Sequence, residues 1–159
     1  MKRILMISML GVVAFGLACS GKKRAQKGYI KAIAPELEKA IAQQSPFEAD
    51  VEIIRKGKVY DVRVDFKGLV KENPRWKKAS HEERLAWFAR VCAEVVGLTA
   101  GGAEEAGFMD FENLIIGYAG QVWSVPMEYA GYISSHAISR SKSDKRLEKE
   151  LMEEMERVE

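Results

Sequence analysis

Proton transfer, metal binding and nucleophilic attack need side chains of a few types, and this 159-residue chain holds few of the stronger ones. There are two histidines, His81 and His136, and two cysteines, Cys19 and Cys92. A histidine held beside a carboxylate can move protons near neutral pH. His81 or His136 with acids such as Asp110 or Glu112 would therefore make a small enzyme or a ligand carrier. The surrounding sequence does not support that chemistry further. No His, Cys or acidic pair falls at a recognised metal spacing, and no serine has the flanking glycines of a nucleophile elbow. The glycine-rich run Gly101-Gly102-Ala103-Glu104-Glu105-Ala106-Gly107 lacks the lysine and hydroxyl of a phosphate loop, and its two glutamates would repel phosphate. No catalytic residue, metal or cofactor is assigned, and binding is the leading reading.

Charge gives the next clue. Between Arg90 and Arg140 there is no lysine or arginine, while Glu94, Glu104, Glu105, Asp110, Glu112 and Glu128 contribute −6. Residues 19–90 carry an excess of +7. If these stretches occupy different faces, the domain is electrically polar and can steer a protein partner. If they interleave in the fold, they cancel. Glu104, Glu105, Asp110 and Glu112 are the candidate contacts on the acidic side. Trp76, ringed by Arg75, Lys77 and Lys78, is a candidate aromatic anchor, unless it folds back onto the core.

The first eighteen residues read as an address. Lys2 and Arg3 precede the uncharged, mostly apolar run Ile4–Ala18, and the chain turns polar immediately after Cys19. A basic start, a short apolar run and a small-residue exit make an export signal, and the run is short for a spanning helix. Cleavage after Ala18 releases a mature chain from which Lys2 and Arg3 are lost. Its charge is formally zero, against +2 for the whole sequence. A neutral exported domain lacks the basic footprint that nucleic acid requires, so no nucleic-acid partner is expected.

Phe15-Gly16-Leu17-Ala18-Cys19 resembles the lipobox of bacterial lipoprotein precursors; Gly16 stands where that family more often has Leu or Val. The resemblance covers only these residues and the signal before them. It implies cleavage before Cys19, a diacylated sulfur and an acylated new amino terminus. Two or three acyl chains hold a protein stably where one does not. Ser20 is not the aspartate that retains such proteins at an inner membrane. By that family's rule, the expected location is the outer membrane, facing the periplasm, in a host with two membranes. With Cys19 acylated, Cys92 has no disulfide partner, and its place on the apolar side of a helical pattern reads as an inert core thiol.

The mature chain has the size of one domain, able to bury roughly two thirds of its unfolded surface. Residues 19–28 form a basic tether, 29–143 a globular domain and 144–159 a C-terminal amphipathic helix. Ile30, Ile33, Leu37 and Ile41 recur at helical spacing, and Ser45-Pro46 breaks the pattern. Val51 to Phe66 alternates apolar with polar around Gly57, the mark of a hairpin. Residues 68–78 read as a polar loop. Ser80 and Glu83 make a capping box for a helix whose stripe is Leu85, Phe88, Val91, Cys92, Val95 and Val96, and Gly101-Gly102 reads as its stop. A second hairpin is expected from Asn113–Tyr118 and an alternating run through Trp123, Val125, Met127 and Tyr129. Asp144–Val158 reads as the last helix. The class is α+β: a small antiparallel sheet of about four strands in two hairpins, with helices on one face.

Overall fold

The computed structural model describes residues 22–45, 47–69, 74–105, 107 and 109–158; the expected signal peptide and Cys19 lie outside the described residues. The first hairpin forms where the sequence alternates. β1 (Phe47–Lys56) and β2 (Val59–Leu69) pair antiparallel. Gly57, at φ +64° in the turn, adopts a conformation that side chains resist. Val62, Val64 and Phe66 are buried, and Arg63 and Asp65 alternate with them on the other face. β3 (Phe111–Tyr118) and β4 (Gln121–Pro126) form the second hairpin around Ala119-Gly120. Both turn residues have positive φ, as a two-residue hairpin loop matched to strand twist demands.

The expectation of a purely antiparallel four-stranded sheet is corrected. β2 and β3 pair parallel, with Val62 opposite Leu114 and Phe66 opposite Tyr118. A short β5 (Glu156–Arg157) adds to β4, giving a mixed sheet in the order β1-β2-β3-β4-β5. Alternation marks which face of a strand is buried and leaves its lateral neighbour open. A parallel neighbour requires the chain to return the length of the sheet. That return is α3 (His81–Glu105), preceded by the short helix α2 (Pro74–Lys78) inside the expected polar loop.

The capping box forms as read: the Ser80 N–H donates to Glu83 Oε2 at 2.8 Å and the Glu83 N–H donates to Ser80 Oγ at 3.1 Å. Gly101-Gly102 does not stop α3, however. Each glycine lowers helix stability by about 1 kcal/mol relative to alanine, and the helix runs on through both to bury Ala103. By length and composition α3 could cross a membrane, but its apolar window is 67% buried inside the domain.

Three further boundaries differ from expectation. α1 (Lys22–Gln44) starts before Tyr29, so most of the expected tether is helical. β4 ends at Pro126, and α4 (Met127–Ser139) takes over there. Met127, Ala130 and Ile133 are buried at helical spacing, so Met127 and Tyr129 are not strand residues. α5 (Asp144–Glu154) docks through Leu147 and Leu151, both fully buried, and stops short of Val158. Beyond it the chain turns into β5, and the Val158 N–H donates to the Val122 carbonyl at 2.9 Å.

α1 lies over β1, α3 over the middle strands and α4 over β3 and β4, with α5 against α3 and α4. All pack on one side of the sheet as expected. Phe88 of α3 stacks on Phe66 at 4.1 Å and meets Phe47 edge-on at 4.6 Å. The buried hydrophobic cluster runs from Ile33 to Leu151, so its whole membership lies in the chain after the signal.

Two glycines mark close approaches of different kinds. A Cβ on Gly97 would lie 2.4 Å from the Ala130 carbonyl oxygen, where α3 crosses α4. A Cβ on Gly117 would lie 1.9 Å from Asp65 Oδ1, the end of a side chain that can swing aside. Gly97→Ala must therefore move backbone, and is expected to lose about 1–3 kcal/mol. Gly117→Ala is expected to lose less, despite the shorter distance. Urea denaturation of the two variants checks the order.

Candidate functional site

The acidic stretch gathers at one end of the molecule. Glu104 and Glu105 close α3, and Asp110 and Glu112 open β3 a few residues later; all four are exposed. The Tyr60 N–H donates to the Asp110 carbonyl at 2.9 Å, which sets this end beside the β1–β2 turn. That turn brings Arg55, Lys56 and Lys58 to the same end, so the two charge classes partly interleave. Two of the cations are engaged locally. Arg55 donates to the Gly57 carbonyl at 3.0 Å, and Lys56 Nζ lies 2.5 Å from Asp61 Oδ2. Glu104, Glu105, Asp110 and Glu112 make no ion pair among the described residues. Glu94, from the same basic-free stretch, is bound to Arg90 at 2.6 Å.

Asp61 is the site residue that sequence reasoning missed. It alternates with the core residues of β2, yet it is fully buried. Its Oδ1 accepts from the Asn113 backbone N–H and from Asn113 Nδ2, each at 3.1 Å. Hydrogen bonding to Asp61 raises the Lys56 ammonium above its ordinary value, with Coulomb attraction to the same carboxylate adding to it. The signal was the pairing of β2 with β3, which alternation does not contain.

Trp76 folds back rather than presenting itself to a partner. It is 5% exposed, with its ring 4.6 Å from Trp87 and 5.9 Å from Phe47, and the Arg75 guanidinium 5.0 Å over its ring. Its carbonyl accepts from Arg84 Nη2. α2 begins with Pro74 as its first helical residue, a position that suits proline, and so drives the tryptophan into the cleft between β1 and α3. Trp76 is therefore a core residue, and as an exposed anchor it is withdrawn.

His81 does not meet the acidic end. His81 is exposed at the start of α3, stacked on Tyr118 at 4.9 Å and 6.2 Å from Trp123. Tyr118 ends β3 and Asp110 precedes it, so a strand length of roughly 27 Å separates them. His136 sits on α4 with Nδ1 2.9 Å from the Tyr132 carbonyl and 3.3 Å from Ser135 Oγ. A carbonyl only accepts, so the tautomer that satisfies it carries its proton on Nδ1. Ser135 Oγ donates to the same carbonyl at 2.8 Å. The two side chains share an acceptor, and His136 Nδ1 has no lone pair with which to activate the serine.

Cys92 is fully buried on α3, and burial pushes its thiol well above the ordinary range. Between α1 and α3 lies a shallow groove of about 50 Å³, lined by Ile33, Leu37, Ala40, Val95 and Thr99 among others. It is mostly apolar and too small for a ligand larger than a few atoms. Among the described residues no three His, Cys or acidic side chains converge as a metal site. Comparison with protein-family models, with curated proteins and with solved structures finds no match to this chain.

A second polar cluster joins α4 to α5. Tyr129 stacks on Tyr132 at 5.2 Å, and the Lys142 ammonium donates to the Tyr132 hydroxyl and to Glu150, at 2.7 Å for Oε2. Arg146 Nε also donates to Glu150, at 3.0 Å. The hydrogen bond to Glu150 raises Lys142, and the same bond holds the Glu150 carboxyl below its ordinary value. The depressed carboxyl contributes stability above its unfolded value and loses it as pH falls through the folded one. The raised ammonium contributes below its unfolded value and loses it as pH rises through the folded one. Lys142→Met is expected to lower Tm most near neutral pH. The difference from the parent should shrink in acid as Glu150 protonates, and thermal melts from pH 3 to pH 8 check it.

Proposed function

We propose that this chain is a lipid-anchored bacterial envelope protein, held through Cys19, whose domain binds a protein partner and performs no catalysis. The anchor rests on the resemblance of residues 15–19 to a lipobox. By the family's rule for Ser20, the anchor lies in the outer membrane facing the periplasm. The observation that carries the binding role is the exposed end bearing Glu104, Glu105, Asp110 and Glu112 without ion pairs among the described residues. A partner that presents basic side chains satisfies that surface, and its charge steers the encounter. His81 lies a strand length from these acids, and His136 gives its Nδ1–H to the Tyr132 carbonyl, so neither histidine supplies a specific reason to favour the small-enzyme reading.

The anchor and the binding role are tested separately. Cys19→Ala is expected to abolish acylation and processing, leaving the full-length precursor held only by its uncleaved apolar segment; processing to an unchanged mature mass with unchanged membrane attachment overturns the lipobox reading. Thiol titration gives a second readout. The mature protein is expected to show no reactive thiol while native and one in denaturant, from Cys92; a second thiol means Cys19 is unmodified. Crosslinking in native membranes, with mass spectrometry of the products, is expected to capture a stoichiometric protein that is lost in the Glu104→Lys, Glu105→Lys variant. A chain recovered alone, or a partner indifferent to charge reversal, overturns the binding role.

A further inference from the structure

We propose that the first turns of α1 form a contact surface for anionic phospholipid headgroups, setting the domain with its acidic end toward the membrane. This inference rests on the anchor at Cys19 and adds the direction of the helix that begins beside it. α1 begins at Lys22, three residues after that cysteine. From residue 19 to residue 31 the chain carries Lys22, Lys23, Arg24, Lys27 and Lys31 and no acid. Lys27 and Lys31, one helical turn apart, are both exposed and make no ion pair among the described residues.

The direction of α1 decides where these cations sit. The Val51 N–H, in the middle of β1, donates to Glu38 Oε1 at 3.0 Å, which pins the two elements side by side. α1 ends at Gln44 just before β1 begins, so the two run antiparallel. From Glu38 back to Lys22 the helix covers about 24 Å. From Val51 on to Lys56 the strand covers only about 17 Å. Lys27, about 17 Å back from Glu38, is thus level with Lys56, and the start of α1 lies at the β1–β2 turn, the end of the molecule that also carries Glu104, Glu105, Asp110 and Glu112.

A bilayer that holds Cys19 meets the molecule at the end where α1 begins. Each lysine or arginine near an anionic leaflet attracts it by about 1 kcal/mol. The acids behind it are repelled by the same leaflet. Attraction at the helix start and repulsion at the acids together hold the domain tethered at α1 and clear of the surface at the acidic rim. They also leave the β3–β4 turn and His81 at the far end. Three of the other helices carry an acid in their first turn, Glu82 and Glu83 in α3, Glu128 in α4 and Asp144 in α5; α1 has none. A cationic start opposes the helix dipole, and an anionic surface relieves that conflict.

The test uses the chain from Ser20, which keeps every member of the buried cluster and carries no lipid, so its result does not depend on acylation. It is sedimented with vesicles of phosphatidylcholine alone or with 30% phosphatidylglycerol added, at low and at physiological salt. Binding to the anionic vesicles is expected, weakened by salt, with at least a ten-fold loss in the Lys27→Glu, Lys31→Glu variant. Unchanged circular dichroism of that variant shows that the fold is intact. Equal binding to both vesicles, no binding to either, or a variant that binds like the parent overturns the proposal. On the acylated protein, a fluorophore at position 58 is expected to transfer energy to labelled lipid more strongly than one at position 119. Equal transfer overturns the orientation. An unmodified Cys19 found by thiol titration overturns the anchor, while the vesicle result still decides whether the helix start binds anionic lipid.

Discussion

The parallel pairing of β2 with β3 is the constraint on which the rest of this fold hangs. Antiparallel neighbours can be joined by two residues, as at Gly57-Lys58 and Ala119-Gly120, but parallel neighbours cannot. The chain has to travel back along the sheet, and it does so as a 25-residue helix, long enough to cover it end to end. A helix forced across the middle of a sheet is covered on one side by strands and on the other by whatever the chain can still supply. Here α1, α4 and α5 supply it. α3 is accordingly buried over most of its surface, to the point that Gly97 must be a glycine where α4 crosses. The same burial makes the Cys92 thiol inert and makes an apolar stretch of spanning length into core.

Burying so much of one helix and the middle of a sheet traps polar groups, and the fold answers Arg90 and Asp61 with partners of their own. Arg90, on the buried length of α3, sends Nε to Glu148 at 2.9 Å and Nη1 to Glu94 at 2.6 Å, with Asp144 at 3.7 Å. It thereby ties α5 to α3 by charge where Leu147 and Leu151 tie it by burial. Asp61 does the equivalent for the sheet, joining β2 to β3 through Asn113 and to the hairpin turn through Lys56. An isolated buried carboxylate is strongly disfavoured, so these contacts are a condition of the parallel pairing and not an ornament on it. Charge at the ends of the molecule is left unanswered by comparison, and that is where partners can act.

The features legible in the sequence were the ones set by local physics. Alternation from Val59 to Phe66 fixed the faces of β2, Gly57 its turn, and Ser80 with Glu83 the first turn of α3. Asp144 marked the start of α5. What escaped was set by distant neighbours. Nothing local says that β2 lies beside β3, so the burial of Asp61 could not be read, nor could the mixed sheet. Trp123, Val125, Met127 and Tyr129 satisfy a strand pattern, yet Met127 with Ala130 and Ile133 satisfies a helical one, and packing of α4 against α3 decided between them. Gly101-Gly102 has the composition of a stop, but the helix runs on through it to Glu105 and buries Ala103. Trp76 looked available because its neighbours are charged; its ring was claimed by Phe47 and Trp87, far away in the chain.

The same topology bears on function by sorting the chemically able residues to opposite ends. The chain climbs β1, descends β2, returns through α3 and descends β3 beside β2, so the end of α3 and the start of β3 necessarily share a rim with the first hairpin turn. That rim collects Glu104, Glu105, Asp110 and Glu112. His81, at the other end of α3, is held there by the length of the crossover itself. A catalytic pairing of this histidine with those acids would require the helix to be shorter than the sheet it crosses. The antiparallel run of α1 against β1 sends the helix start to the acidic rim as well. Any surface held against the start of α1 is therefore brought to the acids and kept from His81.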